Sequence, residues 1–490
     1  MTHSALSTRR GALILMLLCT VQFLDIVDGS IVNVALPSIR DDLGFSQQSI
    51  QWVLSGYLVS YGGFLLLGGR AGDLLGRRRV LIAGTTVFAF CSMAGGLAMN
   101  AELLVTARIL QGVGAAMMAP AGLSILTTTF TEGGDRNKAL GIWGAMSGLG
   151  AATGVLLGGV LSEGPGWRWV LLVNPPICAA IIAAAIILIP PDGHEREKST
   201  FDARGAILVS SAMLIGLYAL IKAPEEGWGT SQTIGELATA VVLLVAFVVN
   251  ESRVANPLFP LSILRVKGIA AADATQLLAF GGFVGMFFFL TLYQQMVLGY
   301  SPIQAGSAYL PVTLVLTVAA GVTSVLIGRV GTRPIIVSGA LVSAVGLYLL
   351  SRIPVDGSYV PDILPGLLVM SLGLGAILVA VTAAANAGVP ADKAGLAAGL
   401  LNTSLQLGSA LAVAIFSALA TARTKDLVAS GASMPEALTG GFSRAILASS
   451  IFLLAAAVIA FRAPNTRKAS MTPGIPPEAP AAEPEPEPVA

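Results

Sequence analysis

The sequence contains few of the residues that carry charge, bind metals or form disulfides. Charged residues make up 11% of its 490 residues, whereas soluble domains contain roughly 25%. Histidine occurs only at His3 and His194, and cysteine only at Cys19, Cys91 and Cys178. Because the three cysteines lie inside apolar runs, they suggest neither a disulfide framework nor a zinc site. No metal site is predicted.

The chain also lacks the sequence features of nucleotide hydrolysis and of nucleic-acid binding. It has no Gly-x-x-x-x-Gly-Lys-Ser/Thr phosphate loop, so ATP is not expected to be its direct energy source through that machinery. Its formal net charge of +1 excludes a nucleic-acid partner that binds a basic surface. We therefore predict no cofactor, no catalytic residues and no enzymatic activity.

Apolar residues make up 55% of the sequence and are gathered in long runs. A helix needs about 20 mainly apolar residues to cross a bilayer. Fourteen runs meet this requirement, over residues 11–36, 49–69, 80–98, 103–129, 139–162, 168–190, 204–222, 233–250, 268–298, 304–328, 334–353, 362–388, 395–421 and 442–462. The sequence thus predicts an all-α polytopic membrane protein with 14 transmembrane helices. Without the seventh and eighth runs, twelve helices with the same end orientation would remain.

The positions of Lys and Arg predict the orientation of the chain, because these residues accumulate in cytoplasmic loops. With the N-terminus in the cytoplasm, 20 of the 28 Lys and Arg residues are cytoplasmic and 7 are external, with Arg108 inside a helix. The first run follows Arg9 and Arg10 as a signal peptide core would, but its length of about 26 residues and its two aspartates indicate a spanning helix. We expect a multi-pass protein of the cell inner (plasma) membrane with both termini in the cytoplasm.

A weak internal repeat divides the predicted helices into two bundles and an inserted pair. An Arg-rich segment at 69–79, interpreted as a cytoplasmic hairpin loop, follows the second helix, and a degenerate copy at 328–333 follows the second of the last six. The predicted organisation is a cytoplasmic N-terminus (1–10), an N-terminal six-helix bundle (11–190), a cytoplasmic linker (191–203), two inserted transmembrane helices (204–250), a second cytoplasmic linker (251–267), a C-terminal six-helix bundle (268–462) and a disordered cytoplasmic tail (463–490).

Three charged residues lie within runs that are predicted to cross the bilayer, where charge is energetically unfavourable. Asp25 and Asp28 fall deep in the first run, three residues apart and on one helical face with Gln22. Arg108 lies in the fourth run, one turn before Gln111. Since an unpaired charge in a bilayer costs several kcal/mol, intramembrane charges are usually paired and functional. Either aspartate is a reasonable partner for Arg108, although bonds that merely join neighbouring helices would also explain the two acids.

Four short motifs resemble those of the major facilitator superfamily. The loop motif is carried by Gly69, Asp73, Gly76, Arg77 and Arg78. Residues 28–37 resemble the first-helix motif of the fourteen-helix drug:proton antiporter branch, and Arg108 and Gln111 match fourth-helix positions tied to proton coupling. Residues 154–159 are similar to the fifth-helix motif of drug exporters, except that Val155 stands where that branch usually has proline. Without the proline, the fifth helix should bend less.

The resemblance, which covers residues 11–462, implies a major facilitator fold of two six-helix bundles plus two inserted helices, with a substrate site between the bundles. It implies an antiporter that exports drugs or antibiotics and uses the proton gradient as its energy source. Its expected partners are a small-molecule drug or antibiotic, protons and the lipid bilayer, and it is expected to be a monomer.

The resemblance and the residue pattern together predict four groups of functional residues. Proton coupling is assigned to Asp28, Asp25 and Arg108. The substrate cavity is expected to contain Asp25, Gln22, Gln111, Asp273 and Gln276, and the loop motif is expected to control gating. Because small residues four apart let helices approach closely, helix packing is predicted at Gly144, Gly148, Gly150, Gly154, Gly158 and Gly159.

Three alternative functions remain open from the sequence. A proton-linked importer would share the fold, although the first-helix and fifth-helix motifs favour export. A dedicated exporter of one natural product has the same sequence features as a broad drug pump. A membrane scaffold that transports nothing would have no use for Asp25, Asp28 and Arg108.

Overall fold

The computed structural model describes residues 6, 8–46, 49–130, 134–192, 202–254, 257, 268–386 and 394–466, apart from some side chains within the helices. These residues form helices and no strands. The helices are α1 (Arg9–Leu43), α2 (Trp52–Leu75), α3 (Arg77–Gly96), α4 (Ala101–Thr129), α5 (Gly134–Leu161), α6 (Trp169–Leu172), α7 (Asn174–Leu188), α8 (Ala203–Glu226), α9 (Ser231–Arg253), α10 (Ile269–Met296), α11 (Pro302–Ser307), α12 (Leu310–Val330), α13 (Thr332–Leu350), α14 (Leu364–Asn386), α15 (Ala394–Ala429) and α16 (Met434–Ala460).

The helices follow the apolar runs of the sequence. Two runs are each occupied by a pair of helices, because α6 and α7 share the sixth run and α11 and α12 share the tenth. Within the described residues, eleven helical stretches are long and apolar enough to cross a membrane. α2, α5 and α8 are not among these eleven, so the count of 14 stays a prediction. The molecule is an all-helical, multi-pass membrane protein, as the apolar runs predicted.

The predicted hairpin loop at residues 69–79 is wrong, because a single glycine connects the two helices. α2 continues to Leu75 and α3 begins at Arg77, with Gly76 between them. Gly76 has a φ of 102°, which residues with a side chain rarely adopt. A Cβ at this position would also strike the carboxyl group of Asp192. Both helices extend beyond their apolar runs, because charged residues can continue a helix outside the bilayer.

The residues of the predicted loop motif therefore lie on helices. Gly69 and Asp73 belong to the last two turns of α2, and Arg77 and Arg78 open α3. The side chain of Asp73 lies outside the described residues. The gating role of these residues stays a prediction.

Asp192 caps the first turn of α3. Its Oδ1 accepts a hydrogen bond of 3.1 Å from the Arg78 backbone N–H, and its Oδ2 accepts one of 3.2 Å from the Arg79 N–H. The Arg78 guanidinium donates to the Ile186 carbonyl at 2.8 Å. A carboxylate at a helix N-terminus stabilises the helix, because it satisfies free N–H groups and faces the positive end of the helix dipole. The end of α7 is thereby joined to the start of α3.

The second half of the chain repeats this arrangement with different chemistry. Gly331, with a φ of 96°, alone connects α12 to α13. The Thr332 hydroxyl donates to the Pro464 carbonyl at 2.6 Å, and Arg333 Nε donates to the Ala463 carbonyl at 2.8 Å. The start of α13 is thus joined to the segment after α16, as α3 is joined to the segment after α7. Backbone carbonyls stand in the second half where the first half uses a carboxylate.

Each half of the chain packs mainly against itself. In the first half, α1 packs on α5, and α4 packs on α2 and α3. In the second half, α10 packs on α15 and α16, and α13 packs on α14 and α16. α8 and α9 pack together, and α8 also contacts α2 and α15, so it touches both halves.

α15 and α16 form a hairpin that is longer than the apolar runs it contains. α15 has 36 residues and ends at Ala429, whereas the apolar run ends at residue 421. α16 begins at Met434, eight residues before its run. The two arms are tied by a hydrogen bond of 3.2 Å from the Thr424 hydroxyl to the Ala437 carbonyl, and Ser433 with Glu436 forms a capping box at the start of α16.

Candidate functional site

Asp28 lies at the centre of a buried network of charged and polar side chains. Its Oδ2 accepts a hydrogen bond of 2.7 Å from Arg108 Nη1, and both side chains of this ion pair are completely buried. Its Oδ1 accepts hydrogen bonds from Gln111 Nε2 at 2.9 Å and from Asn174 Nδ2 at 2.6 Å. The network therefore joins α1, α4 and α7. Arg108 compensates the charge of Asp28 in a place that water does not reach.

Arg108 has further contacts that hold its guanidinium in position. Its Nε donates to the Val53 carbonyl at 3.1 Å, and its Nη1 also donates to Gln111 Oε1 at 2.8 Å. Its guanidinium carbon lies 4.2 Å from the ring centre of Tyr57, a distance suited to a cation–π interaction. Its Nη2 has no hydrogen-bond partner among the described residues. The sequence left both aspartates open as partners of Arg108, and in the structure the partner is Asp28.

Asp25 has a different set of partners, which are neutral. Its Oδ1 accepts a hydrogen bond of 3.0 Å from the Tyr57 hydroxyl, and its Oδ2 accepts one of 2.7 Å from the Tyr61 hydroxyl. The carboxyl is buried and forms no ion pair within the described residues. The Tyr61 side chain also contacts Asn402 and Gln406 of α15. Asp25 is thereby connected, through one tyrosine, to the second half of the chain.

Sequence reasoning missed four members of this network, which are Tyr57, Tyr61, Ser92 and Asn174. The two tyrosines lie four residues apart in an apolar run, a spacing that puts them on one helical face and that was available as a signal. Asn174 Nδ2 also donates to Ser92 Oγ at 2.9 Å, and Ser92 Oγ donates to the Leu171 carbonyl at 2.8 Å. No feature of the sequence around Asn174 indicates that it reaches Asp28.

The remaining predicted cavity residues lie apart from the ion pair. Asp273 and Gln276 are buried in α10, with 7% and 5% of their surface exposed. Among the described residues, neither carboxylate oxygen of Asp273 has a hydrogen bond of ordinary geometry, although the Ser404 side chain lies beside it. Gln22 is half-buried on α1. The predicted cavity residues are therefore divided between a bonded group in the first half and a lone acid in the second.

The two halves are hydrogen-bonded near the end of the molecule where α1 terminates, which we call the Leu43 end. Asn33 Nδ2 donates to Thr291 Oγ1 of α10 at 3.0 Å. Gln295 Nε2 donates to the Val34 carbonyl at 2.9 Å. These bonds hold the second part of α1 against the second part of α10.

Two glycines bring the backbones of α5 and α11 together at the same end. A Cβ on Gly159 would lie 2.6 Å from Ile303 Cα, and a Cβ on Gly306 would lie 2.7 Å from the Val155 carbonyl oxygen. Real side chains do not approach this closely, so glycine is required on both helices for this contact. At the Leu43 end, the main chain of α5 therefore lies against the main chain of α11.

Predicted packing glycines of α5 face α1. A Cβ on Gly158 would lie 2.6 Å from the Ile31 carbonyl oxygen, and one on Gly154 would lie 2.8 Å from the Val27 carbonyl oxygen. Gly150 lies one turn earlier, against Ile26. The surroundings of Gly144 and Gly148 lie outside the described residues. With Val155 in place of proline, α5 continues as an α-helix from Gly134 to Leu161.

A cleft of about 700 Å³ lies away from these charged residues, between the inserted pair and the first half. Its walls include Trp52 of α2, Ile109 of α4, Tyr218 of α8 and Glu236 of α9. It contains none of the predicted cavity residues. α8 and α9 thus line a surface feature that is separate from the buried network.

Comparison with known proteins identifies relatives over nearly the whole chain. The chain is 38% identical to the puromycin resistance protein pur8 of Streptomyces alboniger, with 94% of each chain covered. It is also 38% identical to the cephamycin export protein CmcT of Amycolatopsis lactamdurans, with 93% of each covered. Its identity to the multidrug resistance protein Stp of Mycobacterium tuberculosis is 33%, over 82% of this chain and 74% of the relative.

Solved transporter structures share the fold. A bacterial homologue of the human lysosomal transporter Spinster, in an inward-facing and unoccupied conformation, superposes with a TM-score of 0.62 at 17% identity, covering 93% of this chain and 97% of that one. The POT family transporter PepTSo gives a TM-score of 0.64 at 14% identity, covering 92% of this chain and 98% of that one. The family model of the Major Facilitator Superfamily matches residues 18–413. The chain belongs to the Major Facilitator Superfamily of membrane transporters.

Proposed function

We propose that this protein is a proton-coupled antiporter that exports drugs or antibiotics by alternating access. In this proposal the chain crosses the cytoplasmic membrane 14 times, with both termini in the cytoplasm, and works as a monomer. The proton gradient supplies the energy. Its substrates are lipophilic and often cationic, because Asp25 and Asp273 are buried acids that form no ion pair among the described residues, and uncompensated negative charge favours a positively charged ligand.

One structural observation carries the proposal, namely the completely buried ion pair between Asp28 and Arg108. A buried pair of this kind is expensive to hold in a membrane and is usually functional. The names of the relatives, which include puromycin resistance and cephamycin export, supply the substrate class and the direction of transport.

The geometry suggests how a proton would act on the pair. A proton added to Asp28 would remove the counter-charge of Arg108, whose guanidinium would then be buried without an anion. Because that state is unfavourable in a dry environment, Arg108 would be drawn toward another acceptor. α1, α4 and α7 share the network, so a change at Asp28 would alter how these three helices pack.

Asp25 is the proposed meeting point of proton and substrate. A cationic drug and a proton would compete for its carboxyl group, so that binding of one favours release of the other. Tyr61 contacts both Asp25 and α15. Binding of a proton or a drug at Asp25 would therefore alter contacts at the interface between the two halves, where alternating access requires movement.

The proposed orientation also assigns a conformational state. With the N-terminus in the cytoplasm, the Leu43 end faces the outside of the cell. The hydrogen bonds of Asn33 and Gln295 and the glycine contacts of α5 with α11 lie at this end. The two halves are then joined on the outer side of the membrane, as in a transporter that is closed toward the outside.

Transport by the purified protein in liposomes tests the proposal. An imposed proton gradient should drive movement of a panel that includes puromycin, a cephamycin, lincomycin and the lipophilic cation ethidium. Asp28→Asn should insert and fold but lose gradient-driven export. Asp192→Asn, which changes a carboxylate outside the buried network, should retain transport and serves as the matched control.

Three outcomes would contradict the proposal. Transport that persists at full rate after the gradient is collapsed with an ionophore would remove proton coupling. Full wild-type export by Asp28→Asn would remove that residue from the mechanism. Net uptake toward the side that carries the N-terminus would reverse the direction and favour an importer.

A dedicated exporter of one natural product is the second candidate. It is favoured by the names of several relatives, each of which refers to one antibiotic, such as the lincomycin resistance protein of Streptomyces lincolnensis. The same panel separates the two candidates. Export of a single compound would support the dedicated exporter, and export of several unrelated compounds would support the broad pump.

A further inference from the structure

Two arginines at the Leu43 end share a pocket without any acidic neighbour in its walls. Arg352 follows the end of α13, and Arg444 lies in α16. A pocket of about 330 Å³ is lined by both arginines together with Tyr348, Ser351, Ile353, Gly440, Ser443 and Leu447. Its walls therefore carry two positive charges and the hydroxyl groups of two serines and a tyrosine.

These arginines differ from two others near the same end. Arg40 pairs with Asp41 at 2.6 Å, and Arg168 pairs with Asp42 at 2.5 Å. Arg352 and Arg444 form no ion pair and no side-chain hydrogen bond within the described residues, and both are exposed. Both arginines line the same pocket, so an anion bound there would meet two positive charges.

The pocket lies at the boundary between apolar and polar sequence. Arg352 is the second-last residue of the apolar run 334–353, and Arg444 is the third residue of the run 442–462. Exposed apolar side chains extend from the pocket along both helices. They are Leu341, Val345 and Tyr348 on α13 and Leu447, Ile451, Leu454 and Val458 on α16. The spacing of three and four residues makes each set a continuous stripe.

We infer that this pocket binds the head group of an anionic phospholipid, with its acyl chains lying along the two apolar stripes. The bidentate geometry of arginine suits phosphate oxygens, and a basic pocket between membrane helices is suited to lipid head groups. An anionic lipid fits better than a zwitterionic one, because the pocket has two positive charges and no acid to receive a cationic head group. The proposed orientation puts the site in the external leaflet, but binding itself does not depend on orientation or on transport.

Native mass spectrometry of the purified protein tests the inference. The probes are phosphatidylglycerol and phosphatidylcholine with the same acyl chains, added to the protein in detergent. The wild type should retain phosphatidylglycerol in preference to phosphatidylcholine. Since each basic residue at a membrane surface contributes about fivefold in affinity, the double variant Arg352→Gln with Arg444→Gln should bind phosphatidylglycerol about 25-fold more weakly. Replacing both by lysine should retain part of the affinity, because lysine keeps the charge but loses the bidentate contact.

The matched control is Arg423→Gln, which removes an exposed arginine on α15 outside the pocket. This variant should bind phosphatidylglycerol as the wild type does. The melting temperature in lipid-free detergent establishes that each variant is folded before lipid is added. Equal retention of the two lipids by the wild type, or equal loss in Arg423→Gln and the double variant, would overturn the inference. Because the assay contains no substrate and no gradient, its result is separate from that of the transport test.

Discussion

The two halves of the molecule differ in how they hold buried charge. In the first half, Asp28 and Arg108 compensate each other, and Asp28 accepts three hydrogen bonds from neighbouring helices. In the second half, Asp273 is buried with no cation within ion-pair distance among the described residues. The same superfamily fold thus contains a closed charge network on one side and an open acid on the other. The difference teaches that a repeated fold does not require repeated chemistry.

The contrast assigns different proposed tasks to the two halves. A compensated pair responds to a proton, because protonation of one partner leaves the other uncompensated. A lone acid such as Asp273 responds to a bound cation, because the cation supplies the charge that the protein lacks. We therefore expect coupling to depend on the first half and preference for cationic substrates to depend on both halves.

The largest expected effect comes from removing Arg108 while its ion-pair partner Asp28 stays in place. Arg108→Ala leaves the Asp28 carboxylate buried without a cation, which costs about 3 to 5 kcal/mol of stability. The variant should lose transport and unfold at a clearly lower temperature in detergent. Arg108→Gln combined with Asp28→Asn removes both charges, and it should unfold at a higher temperature than Arg108→Ala while remaining inactive. Equal unfolding temperatures for the single and double variants would show that Asp28 and Arg108 do not stabilise each other.

The next prediction concerns helix packing, which we expect to be similar in the two halves although their buried charges differ. Gly158→Val would push a side chain into the Ile31 carbonyl of α1, and Gly281→Val would push one into the Gly408 carbonyl of α15. Overpacking of this kind costs about 1 to 3 kcal/mol, so both variants should lose similar amounts of thermal stability. Gly164→Val, at a position with open space around it, is the control. A large difference between the first two variants would extend the contrast to packing.

A smaller effect concerns substrate choice. Asp25→Asn removes a negative charge from the proposed cavity, and it should slow export of ethidium on the order of tenfold, which corresponds to about 1.4 kcal/mol. Export of a neutral drug should change much less. Asp273→Asn should act in the same direction with a smaller magnitude, since its site has no tyrosine hydroxyls comparable to those on Asp25. Equal slowing of charged and neutral drugs in liposomes would argue against a role of these charges in selectivity.

The smallest effect compares the two helix starts that follow the single-glycine turns. Asp192→Asn removes the charge that faces the α3 N-terminus and should lower stability by about 0.3 to 1 kcal/mol. Thr332→Val removes the hydrogen bond to the Pro464 carbonyl and should cost about 0.5 to 1.5 kcal/mol. High salt should reduce the effect of Asp192→Asn, because salt screens the charge that this variant removes. The effect of Thr332→Val should not depend on salt, because both partners of its hydrogen bond are neutral. Thermal unfolding at two ionic strengths measures both.

Much of the fold could be predicted because it depends on composition and period. Long apolar runs can only be helices in a bilayer, since every backbone group must be satisfied within the segment. The loop at residues 69–79 was wrong because hydropathy reports where the bilayer ends and not where a helix ends. The breaks that separate α6 from α7 and α11 from α12 were missed for the same reason.

The site could be predicted in part. Asp25, Asp28 and Arg108 could be identified because charged residues are energetically costly in a bilayer and therefore stand out in an apolar run. Neutral partners such as Asn174 and Tyr61 have no such cost and gave no comparable signal. The choice of Asp28 over Asp25 as the partner of Arg108 depends on which helix face meets α4, which is a property of tertiary packing. One sequence cannot supply that information.

The long hairpin of α15 and α16 has a practical consequence for imaging this protein by electron microscopy. A helix of 36 residues is about 54 Å long, whereas the hydrocarbon core is about 30 Å thick, so part of the hairpin extends out of the bilayer. Its arms are fastened to each other by Thr424 and Ala437. An antibody fragment raised against this projection would be held at a fixed angle to the transporter. It would give electron microscopy a landmark outside the detergent.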